Sequence, residues 1–315
     1  MNPAFSVIML TTASGAGYGM LFWLGVLSAL GAMPVQTSFG VPAIFIALAL
    51  ATAGLIASTL HLGRPERAWR AISQWRTSWL SREGVVSLVT YLPALGFAAA
   101  WGIAGPHSIA AIVLGLLAAL CGLLTVLCQA MIYASLKPVR QWHNGYAAPN
   151  LLLLGAASGA ACLAAMATFW ALAPGRVAGG IAVLLCLLAL AAKIAYWRFI
   201  DRAPPVATIE SATGLGFIGP VRQLEAPHTE ENYLLREMGY RIGRKHGDRL
   251  RTIALAAGFV VPVVLLIVGM ILGDPIAMIL FPIAAAMTLL GVYVERWLFF
   301  AQATHTVTLY YGRTG

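Results

Sequence analysis

Charge is what this sequence has least of. In 315 residues there are 20 Lys and Arg and 11 Asp and Glu, 10% of the chain against roughly 25% in soluble domains. With 60% hydrophobic residues and a mean hydropathy of +0.83, too little polar surface remains to coat a water-soluble fold. Cysteine is also scarce: Cys121, Cys128, Cys162 and Cys186 all fall inside apolar runs and form no C-x-x-C pair. Iron-sulfur or structural zinc ligation by this chain therefore lacks support, and the four read as small buried apolar residues. No phosphate loop, H-E-x-x-H or nucleophile elbow occurs, so hydrolytic and nucleotide-driven chemistry have no footing. The N-terminus MNPAFSVIML has no basic region and no cleavage site after a short apolar core, so the first helix is expected to be retained. The net charge of +9 does not argue for nucleic acid, because basic residues beside apolar spans follow the cytoplasmic excess of Lys and Arg.

What is present is a series of long apolar runs. An apolar stretch of about 20 residues spans the hydrocarbon core as a helix, and eight such stretches are read at about residues 9–33, 41–61, 84–104, 108–133, 147–173, 177–199, 252–273 and 276–301. The breaks MPVQTSFGVP, AGPH, APGR and GDP are short Pro- and Gly-rich turns. The expected fold is an all-α integral membrane protein, one transmembrane domain over residues 1–315 with a long loop at about 200–250. Eight spans put both termini on one side with the loops after helices two, four and six. Nearly all Lys and Arg residues fall on that side, and Arg176 alone is left for the other. By the positive-inside rule the basic side, termini included, is expected to be cytoplasmic.

Within the long loop, Thr229 can cap a helix with Glu230 and Glu231 in its first turn and Arg244, Lys245 and His246 at its end before Gly247. Leu234, Leu235, Met238 and Ile242 share one face, which suits an amphipathic helix on the membrane surface, under a partner, or plugging its own bundle.

Two clusters on the basic side could carry chemistry. The first gathers His61, Arg64, Glu66, Arg67, Trp69, Arg70, Trp75, Arg76, Trp79, Arg82 and Glu83 around one boundary. A quinone head group needs hydrogen-bond partners for two carbonyl oxygens, a proton carrier and an apolar cleft, and an imidazole beside aromatic and carboxylate groups supplies these. Interfacial Trp and snorkelling Arg are equally routine membrane anchors, and a boundary His can simply cap its helix. The second cluster holds Tyr133, Lys137, Arg140, Gln141, Trp142, His143 and Asn144. In the sixth span Lys193 is either functional or snorkels to the interface. No histidine falls in mid-span, which excludes a deep bis-histidine haem. A single haem b near the basic side, held by His61 with His143 or His305, stays open as a minor alternative. The TTASGAGYG opening of the first helix either brings helices close or leaves room for a ligand. A transporter is the alternative from another class, but no convincing internal repeat supports it; a passive docking scaffold without quinone is another.

The segments LHLGRPERAW and SREG resemble the membrane anchor subunit of bacterial dimethyl sulfoxide reductases, the DmsC-like family. ASLKPVRQWHN and the run TIESATGLGFIGPVRQLEAPHTEENYLLREMGYRIGRKH are similar to the anchor of membrane-bound sulfite dehydrogenases. The resemblance implies a bacterial inner-membrane complex of this anchor, a ferredoxin-like iron-sulfur subunit and a molybdopterin catalytic subunit, exchanging electrons with ubiquinone or menaquinone. It associates His61 and Glu83 with quinone binding; Arg64, Tyr133, Lys137 and His143 are expected to complete the site. Arg67, Arg70, Arg76, Arg222, Arg236 and Arg241 are expected to form the partner-docking surface. The basic cytoplasmic face favours a cytoplasmic catalytic arm, hence sulfite oxidation and quinone reduction, over the outward arm and quinol oxidation of a dimethyl sulfoxide reductase.

Overall fold

The computed structural model describes residues 2–60, 62–202, 204, 207–225 and 246–311. Among them eight helices are long and apolar enough to cross a membrane: α1 (Phe5–Ala29), α2 (Thr37–Thr59), α3 (Trp79–Ala104), α4 (Ile109–Ala134), α5 (Ala147–Thr168), α6 (Ala173–Arg202), α7 (Gly247–Leu272) and α8 (Ile276–Ala301). The chain is an all-α, multi-pass membrane protein. The amphipathic segment expected at 229–246 lies outside the described residues apart from His246, as do His61, Arg236 and Arg241.

Two ends differ from expectation for local reasons. α1 stops at Ala29 rather than near 33 because Gly31, at φ +69°, closes it: Gly31 N–H donates to Ser28 O and Ala32 N–H to Leu27 O, the paired bonds of a Schellman cap. α7 begins at Gly247, a residue expected to end the preceding helix. Its first turn carries Asp248, favourable at the positive end of a helix dipole, and Arg251 is anchored to Asp201 of α6 at 2.7 Å.

α1 and α5 form the centre. α1 packs on α2, α4 and α5, and α5 also meets α6 and α8. Lipid tails give no hydrophobic drive for helices to associate, so close backbone approach does the work. A Cβ built on Gly19 would stand 2.0 Å from the Gly155 carbonyl oxygen, and one on Gly159 2.1 Å from the Gly19 carbonyl carbon. The small-residue run in α1 is thus a packing surface. A π-helical turn at Leu10–Ser14 shifts the register of α1 near the basic end, next to the site below.

Candidate functional site

A cleft of about 540 Å³ opens at the basic end, between the start of α1, the end of α2, the 3-10 segment Pro65–Ile72, the start of α3 and the end of α4. Its walls are mostly apolar: Leu10, Leu55, Leu62, Ile72, Leu80 and Leu88 among others. Glu83, Ser87 and Tyr133, with Asn2, Ser58 and Thr59, supply its polar lining.

Local sequence explains why Glu83 faces inward. Ser78 caps α3 by accepting from Ser81 N–H, the Ser81 hydroxyl donates to Ala71 O, and Arg82 donates to Trp75 O at 3.0 Å and Arg76 O at 2.7 Å. These bonds lash the preceding loop to the first turn of α3, so Arg82 points out and Glu83 in. The Glu83 carboxylate is 4% exposed and accepts from Gln129 Nε2 of α4 at 2.9 Å; Gln129 also donates to Ser14 of α1 at 3.2 Å. One buried amide therefore joins three helices. A carboxyl buried at membrane depth is expensive even with a hydrogen bond, which makes it a candidate for function. Tyr133 is held by aromatic contacts with Trp142, Phe299 and Phe300, at 5.3 to 5.5 Å between ring centres.

The residues expected at the site are only partly brought together. Glu83 and Tyr133 share the cleft, and Leu62, next in sequence to His61, lines it. Arg64 is exposed where the 3-10 segment begins. Lys137 and His143 fall outside the cleft: their connection is drawn toward the C-terminal segment by a Val139–His305 bridge, by Thr306 N–H donating to Pro138 O, and by Trp142 Nε1 donating to Phe299 O. His143 is exposed, with Nδ1 2.6 Å from Ala134 O at the end of α4. His305 accepts from Val307 N–H at Nδ1, and burial holds its imidazole below the ordinary range. Of the arginines expected to dock a partner, Arg67, Arg70, Arg76 and Arg222 are exposed. Arg70 lies over Trp69 and Arg76 over Trp75, with Trp69 64% exposed.

Sequence reasoning misses Gln129 and Ser14; a single neutral amide in an apolar run, within LCQAM, is the available signal. It also misses the partner of Lys193. Lys193 does not snorkel: its ammonium pairs at 2.5 Å with Glu295 of α8, whose other oxygen receives Arg296, and all three are at most 2% exposed. No group of three or more metal-ligating side chains occurs among the described residues.

The chain is thus a membrane protein with eight long apolar helices among its described residues and a buried carboxyl lining an apolar cleft at its basic end. The family model for the DMSO reductase anchor subunit (DmsC) matches residues 1–312, and the chain belongs to that family. Within it, the chain is 35% identical, over 99% of both chains, to a sulfite dehydrogenase subunit of Allochromatium vinosum.

Proposed function

We propose that this chain is the quinone-reactive membrane anchor of a three-subunit molybdenum and iron-sulfur oxidoreductase, receiving electrons from cytoplasmic sulfite oxidation and passing them to the quinone pool. The observation that carries the reading is Glu83, held by Gln129, lining an apolar cleft on the basic face. Reduction of a quinone takes two electrons and two protons. A buried carboxyl at hydrogen-bond distance from a carbonyl oxygen can hand over a proton, and Gln129 fixes the orientation of that carboxyl. Ser87 and Tyr133 offer further polar contacts, while Leu55, Ile72 and Leu88 suit an apolar ring and the first units of its tail. His61, next in sequence to cleft-lining Leu62, is our candidate partner for the second carbonyl. The exposed Arg–Trp surface of residues 64–76 would receive the iron-sulfur subunit, with the molybdopterin subunit beyond it. Similarity to a sulfite dehydrogenase subunit supports sulfite as the electron donor.

The test is sulfite-driven quinone reduction by the purified intact complex, with an optical spectrum of the same sample. Turnover without a Soret band fits the proposal. Quinol oxidation coupled to a reductase, with no sulfite-driven turnover, would move the chain to the reductase branch of its family; a reducible b-type band would bring His61, His143 and His305 back as haem ligands.

A further inference from the structure

α6 has two unlike faces near its basic end. Lys193, Tyr196 and Trp197 turn into the protein and are buried, whereas Arg198 and Arg202, one turn apart, face outward and are exposed. They line a recess of about 420 Å³ with Phe199 and, from the start of α5, Tyr146. The Tyr146 and Phe199 rings meet at 5.3 Å, and Arg140 lays its guanidinium 5.8 Å above the Phe199 ring. Three arginines thus converge on one aromatic wedge.

None of them has a carboxylate partner among the described residues. The nearest acid in sequence, Asp201, is committed to Arg251 through two bonds of 2.7 and 3.0 Å. Arg140 Nε is moreover buried with no hydrogen-bond acceptor among the described residues, so its guanidinium is incompletely satisfied from within the fold. Below the arginines, Leu184, Leu187, Leu188 and Ala191 continue the same outward face of α6. From Leu184 to Arg198 the helix rises roughly 20 Å at about 1.5 Å per residue, the scale of an extended acyl chain. An uncompensated cationic recess capping an apolar strip of that length is complementary to one kind of molecule, an amphiphile with an oxyanion head.

We propose that this wedge is a binding site for an anionic glycerophospholipid, its phosphate bridging Arg140, Arg198 and Arg202 and an acyl chain lying along Leu184–Ala191. Arginine suits the task because its planar fork donates two parallel hydrogen bonds to phosphate. The bound lipid would clamp the α4–α5 connection to the end of α6.

The full-length protein, with its partner subunits where they co-purify, is stripped of phospholipid in detergent, and its melting temperature is followed on adding phosphatidylglycerol, phosphatidylcholine or inorganic phosphate. The expected result is a rise with phosphatidylglycerol alone, lost in R198Q/R202Q and retained in R249Q, which removes a positive charge elsewhere on the same face. Equal rises with both lipids, or a full phosphatidylglycerol effect in the double variant, would overturn the site. A rise reproduced by inorganic phosphate would overturn the lipid assignment in favour of a simple anion site. If R198Q/R202Q does not fold, R140Q replaces it, and the wild-type comparison of the two lipids decides independently.

Discussion

Two buried polar clusters sit near the basic end of this bundle, and they are built on opposite principles. Around Glu83 a single carboxyl receives one neutral amide and faces a cleft of about 540 Å³. Around Glu295 a carboxylate is gripped on both oxygens by Lys193 and Arg296, at most 2% exposed, and lines none of the cavities described above. A charge sealed by opposite charges holds helices in register at a desolvation cost; an acid left half-satisfied beside space is available for proton exchange. The contrast is between a sealed ion cluster and a carboxyl open to a cleft, and the proposed function places its chemistry at the second.

The comparison breaks most visibly at Glu295. E295Q leaves Lys193 and Arg296 as buried, uncompensated cations, and removing one member of such a cluster costs about 3–5 kcal/mol; the expected outcome is a large fall in melting temperature or failure to assemble in detergent. Gln129 comes next. Q129L strands the Glu83 carboxyl and removes the bond that Ser14 accepts, while Ser14 keeps its own bond to Leu10 O; the expected outcome is a stability loss of about 1–3 kcal/mol and a raised quinone KM in steady-state assays, because the carboxyl loses its fixed orientation. On the surface, R70Q/R76Q is expected to change the melting temperature of the isolated chain little, within about 0.5 kcal/mol, while weakening association with the iron-sulfur subunit in a salt-sensitive way that pull-down at rising ionic strength would register. The smallest effect is at His305. Burial lowers its affinity for protons in the fold, so the unfolded chain binds more protons as pH falls below the ordinary value of 6.5; stability is lost toward acid, and H305Q should flatten that slope in melts between neutral and mildly acid pH.

The eight spans are readable from sequence because run length is a one-dimensional property and the bilayer sets its scale. Their ends are less so: a Schellman closure at Gly31 and an ion pair between Arg251 and Asp201 depend on backbone geometry and on a partner helix. Within the site, Glu83 is visible in the crowded boundary after the second span and through the SREG resemblance, although crowding alone does not separate it from an interfacial charge. Gln129 stays hidden because an amide in an apolar run does not name its partner, and the Glu295 cluster because one of its two cations, Lys193, lies on another helix 102 positions earlier. Crowding in the sequence misleads about Lys137 and His143. They follow Tyr133 closely along the chain, yet a bridge between Val139 and His305 folds their connection toward the C-terminal segment, a non-local contact that local pattern does not encode.

The most direct test of the central claim is sulfite-driven quinone reduction by the intact E83Q complex, measured beside its melting temperature. The account predicts turnover lower by on the order of 100-fold, the contribution of a positioned acid or base, with the melting temperature close to wild type because glutamine retains a hydrogen bond to Gln129. Wild-type turnover and unchanged inhibition by quinone analogues in E83Q would contradict it, and would remove the cleft from the electron path.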